Sequence, residues 1–200
     1  MARLAPTPQE GYATQYVRNP RLRDIVDTVC DAQGMLSSER SFTFEDATAL
    51  MAKLLNHASF SGLAGLYWEK LDTLWQSQLK LVDTAPQRLI YDAQRIIHGA
   101  GYFEPKLVTN LSRSLGNYEH LPGVQEYQAR LDDLASLVQT AQDHAEGLAQ
   151  FNHPRVEGIL KELQPYAAGS ATVSGLYTTL TEAYVRHTQA ASNSFLCPNF

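Results

Sequence analysis

The sequence predicts an all-α chain of stacked helical hairpins, a short α-solenoid of about seven or eight helices. Apolar residues recur at intervals of three and four through most of its 200 residues, the period of helices with one buried face. Proline and glycine collect between these stretches, where helices start and stop. Three corners also superpose without gaps around an aromatic, Phe60, Tyr102 and Phe151, each followed three residues later by Leu63, Pro105 or Pro154. The corners lie 42 and 49 residues apart, a spacing of the size that paired helices produce.

Taken in order, residues 1–20 carry Pro6, Pro8, Gly11 and Pro20 among polar neighbours and read as an extended arm. Tyr12, Tyr16 and Val17 give that arm something to bury, against its own fold or a neighbour. A helical-repeat domain is expected over 21–188. Its first helix, Arg21 to Ala32, carries Leu22, Ile25, Val26 and Val29 and should close at Gly34. Thr43 with Asp46 makes a variant capping box for a helix from Phe44 to His57, with Ala47, Leu50, Met51, Leu54 and Leu55 inward. A longer helix, Leu63 to Val82, has the stripe Leu63, Leu66, Tyr67, Leu71, Leu74 and Leu79. Trp68 and Trp75 widen it, which implies two packing surfaces.

The clearest unit is Asp83 to Gly116. Thr84 and Pro86 open a helix carrying Leu89, Ile90, Ala93, Ile96 and Ile97, and Gly99 and Gly101 stop it. Glu104 and Pro105 open the second helix, with Leu107, Val108, Leu111 and Leu115 on its buried stripe. From Val124 the series Tyr127, Leu131, Leu134, Val138, Ala141, Ala145 and Leu148 alternates threes and fours, so one long helix is expected. Its late alanines let a neighbour approach closely. A helix from Pro154 to Gln164 buries Val156, Ile159, Leu160 and Leu163 and should end at Pro165. The last, Ala171 to His187, carries Val173, Leu176, Tyr177, Leu180 and Tyr184. The tail, 189–200, ends in Phe195, Leu196 and Phe200.

Composition narrows the function. Net charge is −5, and the only loose basic group is Arg18, Arg21 and Arg23, which disfavours nucleic acid because phosphate backbones require clustered positive charge. No apolar run approaches the length of a membrane helix, so no direct membrane contact is expected. Cys30 and Cys197 have no metal-ligand spacing and read as free thiols of a reducing compartment. The four arginines against one glutamate in 1–23 also resemble a mitochondrial targeting segment, but a solvated arm is the preferred reading. Cys197 stands four from the end, where Pro198 and Asn199 are poor prenylation residues.

No catalytic centre is legible, and no cofactor or metal is expected. The six histidines, His57, His98, His120, His144, His153 and His187, show neither HExxH nor ExxH spacing. There is no GxSxG, no phosphate-cradling loop and no paired carboxylates in an apolar setting; GAG at 99–101 is a helix stop. The aromatics lack interleaved Lys and Arg, which favours protein contacts over base stacking. Tyr12, Tyr16, Trp68, Trp75, Phe195 and Phe200 are the candidate partner-binding residues.

The run RLIYDAQRIIHGAGYFEPKLVTNLSRSL, an apolar helix, a small-residue corner, an aromatic and a second apolar helix, resembles the degenerate pentatricopeptide and octotricopeptide repeats of mitochondria. The resemblance covers roughly 44–164. Members mostly bind organellar RNA, and some are structural subunits, including one associated with the α subunits of mitochondrial ATP synthase in euglenozoans. The intervals here exceed the usual pentatricopeptide length, and no base-reading pairs are identifiable. The resemblance therefore implies a non-catalytic accessory subunit that docks by protein contacts into a large mitochondrial complex on the matrix side, with the F1 part of ATP synthase its most concrete form. An organellar RNA-binding protein, a cytoplasmic location, and a helical ligand-binding bundle or enzyme assembling its site from His57, His98 and His144 are the alternatives.

Overall fold

The computed structural model describes residues 19–38 and 41–194, with side chains up to 189. Among these residues the chain is all-α, with eight helices: α1 Pro20–Leu36, α2 Phe44–Ala58, α3 Gly62–Leu79, α4 Ala85–Ile97, α5 Pro105–Gly116, α6 Val124–Ala145, α7 His153–Ala167 and α8 Ala171–Ser194. Contacts divide them into two compact units that meet in sequence between Ser77 and Gln78.

In the first unit, Asn19 caps α1 by accepting from the amides of Arg21 and Leu22, and Pro20 stands in the first turn, where its missing N–H costs nothing. Gly34 lies inside this helix and is not the expected stop. The chain leaves the helix two residues past Leu36, where Ser38 takes a left-handed backbone (φ 63°). Thr43 caps α2 as expected, its hydroxyl accepting from the Asp46 amide at 3.0 Å and donating to the Asp46 carboxylate at 2.7 Å. The core joins Val29, Ala32 and Met35 of α1 to Ala47, Leu50, Met51, Leu54 and Leu55 of α2 and to Ala64, Trp68, Leu71 and Trp75 of α3. Phe44 meets Trp75 edge-to-face, ring centroids 4.7 Å apart.

The second unit is arranged around α6, which packs against α4, α5, α7 and α8. Ala93, Ile96, Ile97, Phe103, Val108, Leu111, Leu115, Val124, Leu131, Leu134, Val138 and Ala141 share one core with Val156, Ile159 and Leu163 of α7 and Val173 and Leu180 of α8. Polar bonds fix the register: Gln94 Nε2 donates to the Tyr127 hydroxyl at 2.6 Å, and Ser112 Oγ donates to Asp132 Oδ1 at 2.6 Å. At the α4–α5 corner the Phe103 amide donates to the Gly169 carbonyl at 2.8 Å, and Thr172 Oγ1 donates to Glu104 at 3.0 Å.

Helix α3 ends at Leu79 and not at Val82, and three boundaries in the second unit also differ from expectation. Helix α6 stops at Ala145, because Gly147 adopts φ 73° and only glycine enters that region without strain. Pro165 lies within the last turn of α7 and does not end it; so near the C-terminus, the lost N–H removes a single bond while the flanking turn holds. Helix α8 continues beyond His187 to Ser194, through residues expected in the tail. Thr84 stands at the N-cap of α4 but makes no capping bond, since Pro86 removes one of the two amides a cap can reach.

Candidate interaction surface

The sequence points to six candidate partner-binding residues. Tyr12, Tyr16, Phe195 and Phe200 lie outside the described residues. Trp68 and Trp75 are core residues and not surface anchors: Trp75 is 0% exposed and Trp68 6%. The reason is a rotation of the expected stripe. The face of α3 turned to the core runs Ala64, Trp68, Leu71, Trp75, a spacing of four, three and four. Leu63 and Leu66, expected inside, are instead 53% and 45% exposed. Helix α3 thus has two apolar faces, and the tryptophans occupy the inner one.

In the second unit, the clearest surface cluster forms where the α6–α7 loop meets the later turns of α8. Asn152 caps α7 by accepting from the Arg155 amide at 3.1 Å, which sets the direction of Phe151 and His153 on either side of it. The Phe151 ring stacks on His187, centroids 3.9 Å apart and planes 10° from parallel. His153 stands edge-on to Phe151 at 5.0 Å and to Tyr184 at 5.2 Å. Leu148, 74% exposed, precedes the cluster in the loop. Leu148 was expected at the end of the α6 stripe; the helix stop at Gly147 puts it in solvent instead. Rings that are half covered by one another and half open are pre-ordered, so a partner meets them at low entropic cost.

The histidines have separate roles. His57 Nε2 lies 3.0 Å from an Asp24 oxygen in the first unit. His98 ends α4, its amide donating to the Gln94 carbonyl at 3.0 Å. His144 is buried in the last turn of α6, and neither ring nitrogen is hydrogen-bonded among the described residues. Among the described residues no three His, Cys, Asp or Glu side chains are placed to hold a metal ion, and no helix is long and apolar enough to cross a membrane. A cleft between α6 and α7 presents Arg130, Asp133, Glu162 and Tyr166; burial holds the Tyr166 hydroxyl above its ordinary pKa, with Arg130 opposing. Burial likewise raises the Asp92 carboxyl, and Arg95 pulls it back. These groups lie on different helices, Asp92 on α4, Arg130 and Asp133 on α6, and Glu162 and Tyr166 on α7.

Comparison with models of known protein families, with curated proteins and with solved structures found no match for this chain.

Proposed function

We propose that the chain is a non-catalytic accessory subunit that docks by protein–protein contacts into a large mitochondrial complex, in its most concrete form the F1 part of ATP synthase. The observation that carries the docking is the half-exposed ring cluster of Phe151, His153, Tyr184 and His187, preceded in the loop by the exposed Leu148. Aromatic residues that are already ordered and half open to solvent have the chemistry of interface anchors. The organelle and the assembly come from the helical-repeat likeness of the central hairpin. The net charge of −5 supports a protein partner over RNA.

The test is affinity purification of the tagged full chain under mild detergent, in parallel with a variant carrying Leu148→Asp and His187→Asp. The reading expects F1 subunits in fixed ratio to the chain, and their loss by at least about tenfold in the variant, the effect of roughly 1.4 kcal/mol. Recovery of the chain without other subunits, or with RNA that salt releases, overturns it.

A further inference from the structure

Helices α6 and α7, joined by the short loop 146–152, run antiparallel past the end of α4, and where the three meet they leave a cleft of about 270 Å³. Arg130, Asp133, Leu134 and Leu137 share one face of α6, and Glu162, Pro165 and Tyr166 share one face of α7. Ile97 and Leu134, both buried, and the half-buried Leu137 make the floor apolar. The rim is polar, with two carboxylates, a guanidinium and a phenol that do not satisfy one another. Among the described residues Asp133, Glu162 and the Tyr166 hydroxyl make no hydrogen bond or ion pair, and Arg130 reaches only Glu126, at 4.0 Å. The Tyr166 hydroxyl lies where burial strips part of its water, within the field of Arg130 on α6 and of Glu162 on its own helix. A partly desolvated hydroxyl without a protein partner, set over an apolar floor and between opposite charges, is the composition of a small-ligand site.

We propose that this cleft binds a small zwitterion with an aliphatic body, an α-amino acid of the leucine type. Each part of such a molecule has one place. Its carboxylate fits the planar donor fork of Arg130 and accepts from the Tyr166 hydroxyl. Its ammonium, with three donors and no acceptor, goes to Asp133 and Glu162. Its branched side chain covers Ile97, Leu134 and Leu137. Charge sorts the alternatives: an anion alone faces two carboxylates, a cation alone faces Arg130, and only a guest bearing both signs answers all three. Volume sets the size. Pockets for drug-sized molecules occupy roughly 300–1,000 Å³, so this cleft suits a guest smaller than those. It shares no residue with the ring cluster, so this binding and the docking proposed above stand or fall separately.

The test is isothermal titration of the full chain with L-leucine and with two analogues, isopentylamine, which lacks the carboxylate, and isocaproate, which lacks the ammonium. Leucine is expected to bind once per chain, with each analogue at least about tenfold weaker, the loss of one charge-assisted contact. Arg130→Gln should weaken leucine by a similar factor and leave isopentylamine unchanged, while Glu162→Gln should weaken both. Both side chains are exposed, so neither change touches the core, and far-UV circular dichroism checks that the variants fold. No leucine binding at millimolar concentration overturns the proposal, as does leucine binding that Arg130→Gln leaves unchanged. Isopentylamine binding as tight as that of leucine overturns it as well, and would assign the cleft to a lysine side chain of a partner protein.

Discussion

Gly99 carries a constraint that a single substitution reads out. Its backbone is left-handed (φ 64°), and an added Cβ would collide with the Pro165 carbonyl oxygen. Gly99→Ala should therefore lower the stability of the second unit by at least about 2 kcal/mol, strain and close approach together. Gly158→Ala is the counter-case. It lies inside α7, and apart from its chain neighbours and the backbone of its own helix nothing stands within 4 Å of the new Cβ, so it should stabilise by about 0.5–1 kcal/mol through helix propensity; urea titrations of both variants check the pair. Asp92 supplies a pH dependence. Burial raises its carboxyl above 3.8 in the folded state, against the pull of Arg95. The folded state therefore bears a cost whenever Asp92 is ionised, present above the raised pKa and relieved as pH falls through it. Asp92→Asn should raise the melting temperature at pH 7, and the advantage should vanish as pH approaches 4.

At the scale of the element, capping and periodicity were legible, and rotation about the helix axis was not. Pro105 at the start of α5, Gly99 after α4 and the Thr43–Asp46 pair before α2 are local signals, and the chain obeys them locally. Thr43→Ala should cost about 1 kcal/mol, seen as a loss of helix signal at lower denaturant. For α3, the sequence offers apolar residues around more than half the circumference, so periodicity alone cannot choose the inner face. The largest side chains decide it, because Trp68 and Trp75 bury more area than Leu63 and Leu66. Leu148 fails for a different reason: its spacing continues the α6 stripe, but Gly147 two residues from the helix end overrides the pattern. The ring cluster itself was half visible, as the aromatic corner at Phe151. Its pairing with His187 needs the antiparallel return of α8, a contact 36 residues away in sequence that no local window contains.

At the scale of the molecule, eight described helices form two units with separate cores, one held by Trp75, Leu71 and Met51, the other by the length of α6. The all-α class followed from periodicity and the placement of proline and glycine; the division near Ser77 had no sequence signal, because α3 continues through it as an unbroken helix. The most direct test of the docking account is sedimentation of the endogenous, untagged chain on a glycerol gradient from a mild detergent extract of the cells that make it. As a subunit, it should run with a particle many times its own 22.2 kDa and cosediment with the F1 subunits. A single peak at the position of the free monomer would contradict the account.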